Sequence, residues 1–255
     1  EAGPARSFSV AIAGSGGAGV MTAGTLLLDA AARAGLYGLM VRTSGPQIRG
    51  GEAAALLRLG PRPVATLDDR FDLLLAIGWQ NLHRFADEIP LGAGSLLIGD
   101  SDAGEALDAL RGSGARLHAL ALKKTAKDSG GAWVNMIALG LAGALAGVPA
   151  AALEAALRAS WKRSAESLAP NLAALQQGVA MALGLPGERP APLLPRTDAP
   201  AGRWLLSGNE AAGCGALRGG VRFVAAYPIT PATELLEWMA PALTQVGGTL
   251  LQAED

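Results

Sequence analysis

Short apolar runs punctuated by glycine dominate the chain from Phe8 to Leu120. Phe8 to Ala13 is the first, and it ends in glycines as a buried strand does. Tyr37 to Arg42, Glu52 to Leu59, Phe71 to Ile77, Ser95 to Ile98 and Arg116 to Leu120 predict further strands. Longer stretches rich in Ala and Leu fit helices. They are Val20 to Ala34 (closed by Gly35), Leu82 to Glu88, Ala132 to Ala146, Ala150 to Ala159 and Ala165 to Leu183. Strands alternating with helices predict an α/β fold with a parallel, Rossmann-like, doubly wound sheet.

The pattern then breaks. Leu185 to Gly202 holds five prolines with charge and glycine and no period, which is the composition of a linker. After it a small-residue helix runs through Leu217 and a strand spans Val221 to Ala226. A helix starts at Thr230 with Pro231 in its first turn, and a strand lies at Leu250 to Gln252. The expected organisation is a first domain over 1–184, a linker over 185–202 and the start of a second α/β domain over 203–255. One β-α-β unit cannot cover both faces of its own sheet. The second domain is therefore expected to be a truncated piece, or to need partner surface.

Composition narrows the function classes. Half of the 255 residues are hydrophobic, yet no apolar run reaches the roughly 18 residues of a membrane span. Ala138 to Ala156, the longest candidate, is interrupted by glycines, Pro149 and Glu154. The 21 basic and 22 acidic residues leave no cationic excess for a phosphate backbone, which argues against nucleic acid as a partner. Cys214 is the only cysteine, so no internal disulfide can form, as befits a reducing cytoplasm, and the chain alone cannot ligate an iron–sulfur cluster. It reads as a small core residue, and His83 and His118, the only histidines, as surface or structural groups. Glu1 to Phe8 lacks the basic-then-apolar order of a signal peptide.

Gly14, Gly16, Gly17 and Gly19 sit where a strand turns into a helix. Glycine there lets the backbone approach a phosphate, and the free N–H groups of the helix start favour an anion. The bland alternative is a tight turn with no ligand. An NAD site wants an acid at the end of the second strand, where this chain has Arg42. Arg42 either meets an extra ribose phosphate, as in NADP or coenzyme A, or caps the strand at the surface. In the polar stretch Thr43 to Glu52, Arg49 beside Gly50 can present a guanidinium and N–H groups to an anion, or simply belong to a loose connection.

The GxGGxG loop, then SGPQIRGGEA, then Trp133-Val134-Asn135-Met136-Ile137-Ala138-Leu139-Gly140 resemble the γ subunit of 2-oxoacid:ferredoxin oxidoreductases over roughly Phe8 to Leu183. Ala18 stands where members usually carry Gln, and Gln47 where they often carry an acid. This resemblance implies a domain that helps to bind coenzyme A. GNEAAGCGALRGG, then YPITPATELLEWMA, then LLQAED is similar to the opening of the α subunit of the same enzymes. The two prolines of Tyr227-Pro228-Ile229-Thr230-Pro231 fix the backbone where a helix starts and hold the Thr230 hydroxyl in a set direction.

The resemblance implies thiamine diphosphate as cofactor, with Tyr227, Pro228 and Ile229 near it, Thr230 on the substrate carboxylate and Glu254 against the aminopyrimidine ring. A carboxylate there promotes loss of the cofactor's C2 proton, and an apolar, water-poor setting would raise its pKa. Asn209 and Glu210 would shape the GNEA turn. No GDG segment for a metal-bound diphosphate occurs in the chain. Magnesium and a [4Fe–4S] cluster are therefore expected from a β subunit, with ferredoxin as electron acceptor. The implied reaction is oxidative decarboxylation of a 2-oxoacid to an acyl-coenzyme A, and a fused γ–α chain points first to 2-oxoglutarate. Two other readings remain: an NADP-dependent dehydrogenase built on the glycine loop, and a non-catalytic assembly subunit.

Overall fold

A computed structural model of the chain describes residues 6–44, 51–79, 82–104, 108–194 and 202–254. The chain divides into two compact units, Glu1–Pro200 and Ala201–Asp255.

The first unit holds β1 (Phe8–Ser15), α1 (Val20–Arg33), β2 (Tyr37–Ser44), β3 (Glu52–Gly60), β4 (Leu73–Ala76), β5 (Leu96–Asp100), α2 (Asp108–Arg111), β6 (Arg116–Leu120), α3 (Leu122–Asp128), α4 (Val134–Ala146), α5 (Ala150–Ser160) and α6 (Ala165–Leu183), with a 3₁₀ turn at Leu82–Glu88. The strands form one sheet in the order β2-β3-β1-β4-β5-β6. β1, β4, β5 and β6 pair in parallel. β3 departs from the all-parallel expectation: it runs antiparallel to both β1 and β2. The reason is the connection. A parallel crossover needs about a dozen residues or more, and the segment between Ser44 and Glu52 is shorter than that. An apolar strand reads the same in either direction, so its pattern could not reveal this.

Both faces of the central strands β3, β1, β4 and β5 are buried. Val10, Ile12, Leu73, Leu75 and Ile98 join a core with α1, α4, α5 and α6. Ala11, Ala13, Leu74, Ala76 and Leu97 point the other way, into a smaller core with Phe71, Trp79 and Ile89. α4 and α6 cross at Gly140 and Gly178. A Cβ on Gly178 would stand 2.9 Å from the Leu141 nitrogen and 3.0 Å from the Ile137 carbonyl carbon. Backbone cannot yield to it, so only glycine permits this approach.

The proline-rich segment begins as packed structure rather than as a free linker. Leu185 and Leu193 are buried, and the Leu193 N–H donates to the Ala146 carbonyl at 2.9 Å, closing the end of α4. α2 and α3 fall outside the helices that the apolar pattern marks. Among the described residues no helix is long and apolar enough to cross a membrane.

The second unit holds α7 (Gly208–Arg218), β7 (Phe223–Ala226), α8 (Thr233–Gln245) and β8 (Thr249–Gln252). β7 and β8 are parallel, with Ala226 opposite Gln252. Ser207 caps α7, and Glu210 completes a reciprocal capping box. α7 meets α8 at Gly213, where a Cβ would lie 2.6 Å from the Trp238 ring. Cys214, on α7, is half-buried. α8 begins at Thr233 rather than Thr230. Ile229 to Ala232 first makes a turn, closed by the Ala232 N–H on the Ile229 carbonyl at 2.8 Å, and Pro231 follows a cis bond. Phe223 and Leu251 remain 62% and 55% exposed, so the unit leaves much of its sheet bare.

Candidate functional site

The glycine loop forms one wall of a cleft of about 1130 Å³ in the first unit. β1 delivers the chain to Ser15. The Gly16 N–H then bonds to the Gly51 carbonyl, and the Ala18 N–H to the Ser15 carbonyl at 3.0 Å. Gly17 and Gly19 have φ of 92° and 76°, which side chains with a Cβ rarely adopt. Gly19 is the N-cap of α1. It offers no side chain to the first-turn N–H groups, and no acid stands in that turn. An anion would therefore meet unshielded donors at the positive end of a helix of 14 residues. Gly14 stands behind this loop, buried, where a Cβ would press on Val20 and Ile77 at 3.2 and 3.3 Å.

Other elements complete the cleft. Lys123 and Lys127 come from α3, Trp133 and Asn135 from the start of α4, and Arg163 from the α5–α6 connection. Lys123 is held in place: its Nζ lies 3.5 Å from Oδ2 of Asp100, whose side chain is fully buried at the end of β5. Lys124 faces elsewhere and bonds to Asp128 at 2.8 Å, and that hydrogen bond raises its pKa. Asn135 is 2% exposed, and its Nδ2 donates to the Gly19 carbonyl at 3.1 Å. Its Oδ1 is buried with no hydrogen-bond partner. A buried acceptor beside an anion cradle suits a ligand that carries both a phosphate and an N–H or O–H donor.

A second pocket of about 480 Å³ adjoins the cleft and shares Thr22, Trp133 and Arg163 with it. Arg42 stands in its wall. β3 lies between β1 and β2. Arg42 is therefore one strand further from the glycine loop than the residue that reads the ribose in a Rossmann sheet. Arg49 and Gly50 lie outside the described residues.

Tyr227 to Thr230 and Glu254 fall in the second unit. β7 and β8 are parallel, so the segments that follow them leave from the same edge of the sheet, and the Ala253 N–H bonds to the Ala226 carbonyl at 3.0 Å. Carboxyl ends of parallel strands are where α/β sheets bind ligands. Tyr227, Ile229, Thr230 and Glu254 are exposed on this chain and Pro228 half-buried. The water-poor surround expected around Glu254 is thus not supplied by these residues themselves. Asn209 ties the turn down, its Nδ2 donating to the Pro231 carbonyl at 3.4 Å and to Glu234 at 3.3 Å.

The motif readings missed Lys123, Lys127, Asn135 and Arg163. Asn135 lay within a quoted segment, and only its burial against Gly19 marks it. The lysines and Arg163 carry no pattern, and the crossovers of the fold bring them together.

A glycine-loop cleft lined by basic side chains on one α/β unit, followed by a second α/β unit with polar groups at the ends of parallel strands, defines a two-part α/β protein. The chain belongs to the pyruvate ferredoxin/flavodoxin oxidoreductase family, which matches residues 9–181. Residues 214–255 match the thiamine-diphosphate-binding part described for pyruvate flavodoxin/ferredoxin oxidoreductases. A 2-oxoglutarate synthase subunit KorA from Methanocaldococcus jannaschii is 52% identical over 50 residues, 20% of this chain and 14% of that protein. The KorA of Archaeoglobus fulgidus is 49% identical over 51 residues, 20% and 15% of the two.

Among solved structures, the 2-oxoglutarate:ferredoxin oxidoreductase of Magnetococcus marinus, with 2-oxoglutarate, coenzyme A and succinyl-CoA bound, is 30% identical with a TM-score of 0.87. The likeness covers 99% of this chain and 44% of that one, so this chain spans less than half its length. A keto/oxoacid ferredoxin oxidoreductase γ subunit from Geobacter sulfurreducens (25% identity, TM-score 0.56) is covered over 99% of its length by 70% of this chain. The first unit thus has the extent of a γ subunit that occurs elsewhere as a separate chain.

Proposed function

We propose that this chain serves, with a β subunit, in a 2-oxoacid:ferredoxin oxidoreductase. The reaction is oxidative decarboxylation of a 2-oxoacid to an acyl-coenzyme A and CO₂, with electrons passing to ferredoxin. The observation that carries this reading is the pairing of two features on one chain. A cationic glycine-loop cleft in the first unit is followed by Thr230 and Glu254 at one edge of a parallel sheet in the second. An NADP dehydrogenase would leave that second edge without a task. The names of the relatives and the ligands of the Magnetococcus enzyme favour 2-oxoglutarate as the 2-oxoacid. The single cysteine favours a reducing cytoplasm as the location.

The donor set fits a shared thiamine site. This chain offers a carboxylate and a hydroxyl at the exposed sheet edge, and the diphosphate and its magnesium fall to the partner, which also carries the [4Fe–4S] cluster. Bound thiamine diphosphate would supply the nucleophilic carbon and the electron sink for decarboxylation. Glu254 would stand against the pyrimidine ring of that group, where a carboxylate can hold a proton shared with a ring nitrogen. Covering by the partner would exclude water from the carboxylate. Thr230 donates its hydroxyl to the substrate carboxylate, with the backbone of Tyr227 to Ile229 lining the same edge. In the first unit, the N–H groups at the start of α1 with Lys123 and Lys127 hold the diphosphate of coenzyme A, and Asn135 Oδ1 accepts a hydrogen bond from that ligand.

Glu254→Gln tests the reading because it keeps shape and removes the shared proton. The reconstituted complex should lose about 10²- to 10⁴-fold in kcat, the usual weight of one acid–base group, with an unchanged melting temperature. Full activity in that variant would overturn the catalytic role and leave a scaffold subunit as the reading. Thiamine and iron assayed in the assembly purified from its source check the class independently.

A further inference from the structure

Thr230 lies in a turn whose own hydrogen bonds are short-range. The Ile229 N–H donates to the Tyr227 carbonyl at 3.0 Å and the Ala232 N–H to the Ile229 carbonyl at 2.8 Å. Such bonds shape the turn without fixing where it stands. Thr230 is exposed, so burial does not place it either. A tie comes from another element. Asn209, in the first turn of α7, reaches the turn from 22 positions away, its Nδ2 donating to the Pro231 carbonyl at 3.4 Å. The same nitrogen donates at 3.3 Å to Oε2 of Glu234, in the first turn of α8. An amide NH₂ carries two hydrogens, one for each acceptor. Aspartate has the same shape but no N–H, and it would set a second carboxylate against Glu234.

Asn209 is itself anchored twice. Beside it Glu210 closes the capping box: the Ser207 N–H donates to Glu210 Oε2 at 2.7 Å, and the Glu210 N–H to Ser207 Oγ at 3.2 Å. About one turn further on, Gly213 sits against α8, where a Cβ would lie 2.6 Å from the Trp238 ring and 3.0 Å from Met239 Cγ. Asn209 meets Pro231 and Glu234, and Gly213 meets Trp238 and Met239, so α7 and α8 run side by side in the same direction. Their starts lie together where the chain leaves β7, and Asn209 spans the gap between them.

We propose that Asn209 is a positioning residue for Thr230. By holding the Pro231 carbonyl it fixes where the neighbouring hydroxyl stands, and so how well the chain holds the carboxylate of the 2-oxoacid. It acts through the turn and not on the substrate. A hydroxyl displaced by about 1 Å no longer meets its acceptor, because O–H···O bonds span only about 2.5–3.0 Å. The inference rests on the role given to Thr230 above.

Steady-state kinetics of the complex reconstituted with the β subunit, with 2-oxoglutarate and coenzyme A varied in turn, test this. Asn209→Ala should raise KM for 2-oxoglutarate about three- to tenfold, the weight of one hydrogen bond, and leave KM for coenzyme A unchanged. Asn209→Asp, which keeps the shape, should raise it at least as much. Thr230→Ala should raise the same KM. The double variant of Thr230→Ala and Asn209→Ala should be no worse than Thr230→Ala alone, because one residue acts through the other. An unchanged KM for 2-oxoglutarate in both Asn209 variants, a rise in both KM values together, loss of the active complex in both variants, or losses that multiply in the double variant would overturn the inference while leaving Thr230 on the substrate. An unchanged KM for 2-oxoglutarate in Thr230→Ala would remove the role of Thr230, and this inference with it.

Discussion

Replacing Gly19 by alanine should cost far more than the same change at Gly17, although both glycines have positive φ. The angles are 76° and 92°, so an alanine at either position meets a backbone penalty of about 1–2 kcal/mol, partly offset by a stiffer unfolded chain. The surroundings then separate them. Around Gly17 a Cβ would meet nothing within 4 Å. At Gly19 it would lie 2.6 Å from Cγ and 3.1 Å from Cβ of Asn135. Asn135 is 2% exposed, so it has nowhere to retreat, and moving it breaks the 3.1 Å bond from its Nδ2 to the Gly19 carbonyl. Leaving a buried amide unpaired costs about 1–3 kcal/mol. Gly17→Ala should therefore lose about 1 kcal/mol and Gly19→Ala about 2–4 kcal/mol. At about 2–4 °C per kcal/mol for a domain of this size, a difference of about 1–3 kcal/mol should separate the two melting temperatures by about 2–12 °C. Circular-dichroism melts of both variants read this directly. Adding Asn135→Ala to Gly19→Ala should recover about 1–2 kcal/mol, because the clash is removed with the side chain. Equal losses at Gly17 and Gly19, or no recovery in the double variant, would refute the claim that Asn135 is locked against the loop.

Two further outcomes follow from packing. Gly178→Ala should force α4 and α6 apart, since its Cβ meets backbone at 2.9 and 3.0 Å, and a loss of about 3 kcal/mol in urea denaturation of the first unit's transition is expected. A loss under about 1 kcal/mol would mean that the helices slide freely. Ser207→Ala removes the N-cap of α7 and the bond to the Glu210 N–H, and should destabilise the second unit by about 1 kcal/mol, read by hydrogen exchange of the α7 amides.

Much of the architecture was legible along the chain because burial leaves a local trace. β6 and α6 fall where the apolar pattern places them, over Arg116–Leu120 and Ala165–Leu183, and glycine punctuation located the strand-to-helix turn that became one wall of the cleft. Asn209 and Glu210, expected to shape a turn, lie instead in the first turn of α7, where Glu210 completes the capping box with Ser207. Local chemistry set these features: each depends on residues within a few positions of one another.

The direction of β3, the ties on Lys123 and Asn135, and the gathering of Arg42, Trp161 and Arg163 around one pocket were decided only in three dimensions. Asp100 and Lys123 lie 23 positions apart, and Gly19 and Asn135 116 apart. Such pairs meet because helices of fixed length carry the chain back over a sheet of fixed spacing. Sequence fixed which short stretches would be strand, turn or helix, through burial and backbone freedom. Tertiary packing fixed which distant polar groups would share a cavity, because a charge leaves no periodic mark on the chain that holds it.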